Sequence, residues 1–216
     1  KFDSLEAFEG ATSDLSKEAQ VRQLHAVLAP HMLRRCKKDV LASMIPAKTE
    51  LIVRVEMTGV QRKYYKAVLA KDLVGLSKLQ GGKEVSAASS RAGGPMNTLM
   101  ELRRVCGHPW LVGGTPLGAP DAAYHARLVQ ECGKLQLLDR MMTRFKACGH
   151  RVIIFSQFTI VLNLLEQWLR HRQPQGWYYT RIDGTVPALQ RQARIDDFNA
   201  PHSKLFAFLV STRAGG

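Results

Sequence analysis

Leu205-Phe206-Ala207-Phe208-Leu209-Val210-Ser211-Thr212-Arg213-Ala214-Gly215-Gly216 is the stretch that decides the fold. Leu205 to Val210 is apolar at every position, as expected of a central strand covered on both faces, and Ser211 onward is a polar, glycine-ended loop. An apolar strand running into a polar tip occurs twice more, at Arg151-Val152-Ile153-Ile154-Phe155-Ser156-Gln157 and at Tyr178-Tyr179-Thr180-Arg181-Ile182-Asp183-Gly184. Strands separated by helices of about ten or more residues pair in parallel through right-handed crossovers, so their carboxyl ends emerge along one sheet edge. Open α/β sheets bind ligands at that edge. Ser156, Gln157, Asp183, Gly184, Ser211, Thr212 and Arg213 are thereby expected to gather in one crevice. Gly215 and Gly216 would let backbone N–H groups approach a phosphate closely. Asp183 and Gly184 fit a tight turn at a strand end as well as a functional role.

The helices of this unit follow from periodicity. Leu135, Leu138, Met142 and Phe145 form one apolar stripe, and Leu162, Leu165, Trp168 and Leu169 another. A third helix follows Thr185 as N-cap, with Pro187 in its first turn and Leu189, Ile195 and Phe198 facing inward. Upstream, Leu24, Val27 and Leu28 are at helix spacing before Pro30. Glu50 to Met57 alternates as a half-buried strand. Gln61 to Leu79 reads as one amphipathic helix on Tyr65, Val68, Leu69, Leu73 and Leu76, with the Tyr64-Tyr65 pair used in packing. Gly81 to Pro95 has too little apolar content to pack and reads as a flexible surface loop. A helix resumes from Met96 to Cys106 with Leu99, Leu102 and Val105 inward and Arg103 and Arg104 outward. The loose segment Gly113 to Pro120 then places a domain boundary near residue 125.

The chain of 216 residues is 45% hydrophobic and 23% charged, enough to bury a sizeable core in one or two globular domains. No run of about 18 apolar residues offers a membrane span, and the start, Lys1-Phe2-Asp3-Ser4, has neither a signal region nor an initiator Met. That start, and an end inside a polar loop, read as a piece of a longer protein. Lys and Arg number 31 against 18 Asp and Glu, a net charge of +13 that favours polyanions, nucleic acid before membrane. Arg34-Arg35-Cys36-Lys37-Lys38 packs four cations into five positions, suited to gripping phosphates or to a solvated helix face. The four scattered cysteines, Cys36, Cys106, Cys132 and Cys148, point to a reduced, intracellular protein. Cys106 and His108 with Cys148 and His150 offer two sulfurs and two nitrogens to zinc, but a bound ion would need all four to converge, and buried structural cysteines are the preferred reading.

Eight blocks now stand in a recognisable order: Leu33-Arg34-Arg35 with Lys37-Lys38-Asp39-Val40, Pro46-Ala47-Lys48-Thr49-Glu50-Leu51, Gln61 with Tyr64-Tyr65, Leu102-Arg103-Arg104 with Cys106 and His108-Pro109, Gly133-Lys134-Leu135, Ile154-Phe155-Ser156-Gln157-Phe158, Arg181-Ile182-Asp183-Gly184, and Ser211 to Gly216. The chain resembles, over essentially its whole length, the switch/sucrose-non-fermenting-type ATPases that drive chromatin remodellers, and within them the chromodomain-helicase-DNA-binding branch and its plant PICKLE type. Gly107 and Trp110 depart from that pattern, which usually has Asn and Tyr there.

The resemblance implies a motor of two RecA-like lobes that binds ATP between them and moves along duplex DNA. Residues 1–45 would hold the end of the first lobe and the inter-lobe connection, residues 46–125 a mainly helical insertion with a flexible loop at 80–95, and residues 126–216 a second RecA-like lobe with a parallel sheet, cut within the fifth helicase motif. By the same resemblance, Ser156 and Gln157 (fourth motif) and Ser211, Thr212 and Arg213 (fifth motif) touch the DNA backbone, with Arg34, Arg35, Lys37 and Lys38 as further candidates. Asp183, Gly184, Gly215 and Gly216 would couple that contact to the nucleotide cleft. Expected partners are duplex DNA, nucleosomes and histones, and the remainder of the motor, in the nucleus, with ATP and Mg2+ used by the parent protein.

The sequence has no GxxxxGK[ST] loop, no DExH acidic pair and no arginine-finger motif. The 216 residues are therefore expected to contain no catalytic residue, to hold no metal and no cofactor alone, and not to hydrolyse ATP. Two alternatives follow: a DNA-binding or scaffold relic that lost the nucleotide site, and a DNA-repair translocase of the same superfamily.

Overall fold

Three parallel strands, β1 (Val152–Ser156), β2 (Tyr178–Ile182) and β3 (Leu205–Ser211), form a sheet of order β1-β3-β2 in a computed structural model of the chain. The last strand in sequence takes the centre, as its unbroken apolar run requires: Phe206 to Ser211 is buried throughout. Ser156 is in register with Ser211, and Ile182 with Val210, with one irregularity at Tyr178/Tyr179. The structure describes residues 4, 18–33, 35–36, 40–41, 44, 46–79, 97–115 and 121–214. Two compact units result, Lys1–Ile52 and Val53–Gly216. Within the first, the described α-helix is α1 (Glu18–Leu28), which runs into a 3-10 turn at Ala29–His31.

In the second unit, α2 (Gly59–Leu69), α3 (Leu73–Leu79), α4 (Thr98–Gly107) and the single turn α5 (Trp110–Gly113) precede α6 (Ala122–Gln130) and α7 (Gly133–Ala147). Two crossover helices, α8 (Thr159–Arg172) and α9 (Ala188–Asn199), link the strands. Side-chain caps fix several of the helix starts. Thr58 and Gln61 form a reciprocal capping box on α2, Asn97 caps α4 through Met100 N (3.2 Å), and Asp121 caps α6 through Tyr124 N (2.7 Å).

The central strand is covered on both faces, while Ile153 and Phe155 leave one face of β1 exposed. Ala207 and Leu209 of β3 join the main core with Leu135 and Met142 of α7, Leu162, Leu165, Trp168 and Leu169 of α8, and Leu128 of α6. Phe208 and Val210 face the other way, onto Ile182, Ile195 and Phe198. Each fully buried leucine here contributes about 2 kcal/mol relative to exposure. A smaller cluster of Tyr64, Val68, Leu76 and Val105 holds α2, α3 and α4 together. Among the described residues no helix is long and apolar enough to cross a membrane.

Five expectations are corrected. Glu50 to Met57 forms no strand: an alternating pattern needs a ladder partner, and none is present among the described residues, so Leu51 and Ile52 stay exposed. The single helix expected from Gln61 to Leu79 is two, broken where Lys71 adopts φ +54° and Asp72 turns its carboxylate to cap Gly75 N at 2.8 Å. Leu189 is 91% exposed. It lies nine residues before Phe198, about 180° round the helix from the face that packs, and Pro187 rather than Thr185 occupies the N-cap of α9. Leu99 is also exposed, because α4 buries the i, i+4 line of Glu101 and Val105 instead.

Candidate nucleic-acid interface

The strand order brings the three polar tips to one edge. The Ser156↔Ser211 pairing ends the β1–β3 ladder, and Thr212 N extends it by donating to Ser156 O at 3.1 Å. Ile182 pairs with Val210, so Asp183 leaves β2 on the same side. Neighbouring strands lie about 4.8 Å apart, which sets Gln157, Thr212-Arg213 and Asp183-Gly184 side by side along the edge. Gln157, Gly184, Thr212 and Arg213 are exposed there, whereas Ser211 is only 4% exposed. The Ser156 hydroxyl is engaged in its own turn: it accepts from Phe158 N (3.2 Å) and donates to Phe158 O (3.1 Å).

Asp183 makes the tight turn expected at this strand end. Its carboxylate accepts from the Thr185 hydroxyl (2.6 Å), the Thr185 amide (2.9 Å) and Arg181 Nε (2.8 Å). The Thr185 hydroxyl, with help from the amide and the guanidinium, holds this carboxyl below its ordinary range. Arg181 also reaches Asn163 (2.8 Å) and Glu166 (2.7 Å). Burial alone would raise Glu166, but the Tyr179 hydroxyl, Arg181 and Arg170 outweigh it and bring the carboxyl down. Arg194 donates to the Arg181 carbonyl.

This network floors a cleft of about 580 Å³ lined by Thr159, Asn163, Gly184, Gln190 and Arg194. The first turn of α8, at Thr159, opens onto it, and so do Pro187 and Gln190 from the start of α9. Neither helix has a side-chain cap. Uncapped N–H groups and the positive ends of two helix dipoles favour anions at this edge.

Of the other expected site residues, Arg35 is exposed, while Arg34, Lys37, Lys38, Gly215 and Gly216 lie outside the described residues. Among the described residues no group of three or more His, Cys, Asp or Glu side chains could hold a metal. Both ring nitrogens of His108 are engaged, Nδ1 by Trp110 N (3.1 Å) and Nε2 by Leu128 O (2.9 Å). Only Cys132 of the four cysteines is buried; Cys148 is exposed. Trp110, one of the departures noted above, packs against His108 and Tyr124 and donates its indole N–H to Glu131 at 2.6 Å. Two residues at the edge escaped the sequence reading: Arg181, hidden inside a strand pattern, and Arg103, which donates from α4 to Gln157. The signal for Arg103 was only its outward position on a basic helix face.

Comparison with known proteins bears on this geometry. Residues 1–111 match the SNF2-related domain and residues 133–216 the helicase conserved C-terminal domain. The chain is 46% identical, over all of its length and 15% of the relative's, to the CHD3-type chromatin-remodeling factor PICKLE of Arabidopsis thaliana. It is 44% identical, again over its whole length and 12% of the relative's, to the chromodomain-helicase-DNA-binding protein 3 homolog of Caenorhabditis elegans. The chain therefore spans under a fifth of the length of these relatives. The solved SWI2/SNF2 ATPase core of Sulfolobus solfataricus in complex with dsDNA shares the fold at TM-score 0.55 and 19% identity, covering 96% of this chain and 41% of that one. Its RecA-like architecture is that of the parallel sheet described above. The chain belongs to the SNF2-related domain family, and within it is similar along its whole length to the chromodomain-helicase-DNA-binding proteins.

Proposed function

We propose that this chain is the central part of an ATP-dependent chromatin-remodeller motor, which translocates on duplex DNA in the nucleus and repositions nucleosomes. Residues 1–45, 46–125 and 126–216 divide it into the end of the first lobe with the inter-lobe connection, the helical insertion and the second lobe. The observation that carries the reading is the single sheet edge on which Gln157, Thr212 and Arg213 stand exposed beside two uncapped helix N-termini. Backbone phosphates are the ligand that such an edge fits, because N–H donors, dipoles and a guanidinium all favour anions without reading sequence.

Ser156 and Ser211 support the edge from within. Ser156 shapes the turn that presents Gln157, and Ser211 ends the ladder that presents Thr212 and Arg213. Arg34, Arg35, Lys37 and Lys38 add further phosphate contacts, in keeping with the net charge of +13. Asp183 and Gly184, with Gly215 and Gly216, link this edge to the nucleotide cleft of the parent motor.

ATP and Mg2+ are the parent's substrate and ion, and the residues here do not fit the task of holding them. The Asp183 carboxylate is taken up by Thr185 and Arg181, which leaves it no part as a magnesium ligand. The 216 residues alone are accordingly inactive as an ATPase. Histones and nucleosomes are partners of the whole protein.

Fluorescence anisotropy with a labelled mixed-sequence duplex of about two helical turns, titrated over a range of salt, tests the DNA reading. Neutralising Z phosphates gives a slope of about −0.9Z in log K against log salt. Arg213→Ala is expected to reduce the slope by about one. An unchanged slope removes Arg213 from the interface. DNA-stimulated phosphate release by the purified chain would refute the inactivity of the isolated segment.

A further inference from the structure

We propose that Arg103, on the helical insertion, is a phosphate ligand for the same DNA and orients Gln157 for its own contact. The inference rests on the DNA reading above and extends the interface from the sheet edge to α4. Arg103 and Gln157 are 54 residues apart in sequence, yet one guanidinium nitrogen, Nη2, donates to Gln157 Oε1. The guanidinium carbon sits 5.8 Å from the centroid of the Phe158 ring. Both Arg103 and Gln157 are exposed.

Three local constraints build this arrangement. The Ser156 hydroxyl closes a turn on the Phe158 amide and carbonyl, which fixes the backbone that carries the ring. The ring supplies a face on which a planar guanidinium rests. The helix that carries Arg103 is itself anchored, because Gln61 Nε2 donates to Val105 O at 3.0 Å and Gln61 Oε1 accepts from Gly133 N at 3.0 Å. Arg103 is thus held at the edge by rigid elements rather than by a loop.

The chemistry then selects an anion. Arginine offers five N–H donors and no acceptor, and the contact with Gln157 uses one of its nitrogens. Since arginine can only donate, Gln157 must present its oxygen to it. The amide NH2 of Gln157 is thereby left free of the guanidinium. Arg103 and Gln157 thus present donors at the tip of β1, and the exposed Thr212 and Arg213 follow the end of the neighbouring strand β3. The remaining N–H groups of the Arg103 guanidinium and the NH2 of Gln157, all of them donors, match phosphate oxygens.

The test uses the full chain and the same labelled duplex. For Arg103→Ala the salt slope is expected to fall by about one and the affinity at a fixed salt to drop several-fold. Arg103→Lys should keep the slope, because the charge remains, and lose affinity, because a point charge cannot fork or stack. Gln157→Ala should weaken binding with no change of slope. The Arg103→Ala/Gln157→Ala pair should weaken it by less than the product of the single effects, because Gln157 without Arg103 has already lost its orientation. Thermal melts of each variant accompany the titrations, and if Arg103→Ala melts markedly lower, Arg103→Lys and Gln157→Ala carry the test. An Arg103→Ala slope equal to that of the unaltered chain, alongside a reduced Arg213→Ala slope, overturns the role of Arg103 and leaves the sheet edge as the interface. If the unaltered chain shows no salt-dependent binding, the DNA reading of the whole edge fails, and this inference with it.

Discussion

His108 is a neutral imidazole in the fold, because Nδ1 accepts from Trp110 N while Nε2 donates to Leu128 O in a pocket where the residue is 2% exposed. Burial pushes its pKa below the ordinary value of 6.5, against the smaller pulls of the Leu128 carbonyl and Glu131. Below about pH 6.5 the unfolded chain takes up a proton at His108 that the folded chain refuses. The stability due to the neutral ring is therefore complete above that pH and is lost as pH falls. Asp183 and Glu166, whose carboxyls are held down in the fold, act in a lower window. Their contribution is present above the ordinary carboxylate range and is lost as pH falls through their lowered values. The melting temperature is expected to decline between pH 7.5 and 5.5, and the decline should flatten in His108→Gln. A flat profile for the unaltered chain across that interval would show that His108 does not control it.

At the scale of elements, the contact between the α7 start and the extended segment before α2 explains why Gly133 cannot take a side chain. A Cβ there would stand 2.1 Å from the Glu56 carbonyl oxygen, a backbone atom that cannot swing aside. Replacing glycine by alanine in a helix usually stabilises by about 0.5–1 kcal/mol. Here the sign reverses: Gly133→Ala should destabilise by about 2 kcal/mol through overpacking, read as a lower urea midpoint at unchanged m. An unchanged midpoint would mean that the segment at Val55 and Glu56 yields freely.

Elements of this kind also mark how far the sequence could be read. The parallel sheet, its edge and the stripes of α7 and α8 were legible because each rests on a run or a period long enough to be unambiguous. The break at Lys71 rested on one side chain, Asp72, choosing to cap, and Leu189 was misplaced because a short helix offers too few turns to fix its inward face. Glu50 to Met57 failed for a different reason: alternation describes a strand's faces but not whether a neighbouring edge exists. Arg103 beside Gln157 was out of reach altogether, since a contact between an insertion helix and a strand tip is set by tertiary packing rather than by any local pattern.

For the molecule as a whole, the division at Ile52/Val53 separates core and charge unevenly. The hydrophobic clusters around Trp168, around Val68 and around Phe208 all lie within Val53–Gly216. That unit also carries 23 Lys and Arg against 11 Asp and Glu, so it holds +12 of the chain's +13. Residues 1–52 add almost no net charge, but they concentrate Arg34, Arg35, Lys37 and Lys38 in one stretch. A chain beginning at Val53 should therefore fold, with a melting temperature within a few degrees of the full chain and the same near-ultraviolet circular dichroism from its tryptophans. It should still bind duplex DNA, because the sheet edge is intact, but with a salt slope smaller by about three to four if each cation of the removed stretch neutralises a phosphate. Loss of the tryptophan signal would show that the second unit depends on the first for its packing. An unaltered slope with the fold retained would assign the removed cations to solvent and leave Gln157, Thr212, Arg213 and Arg103 as the whole of the interface.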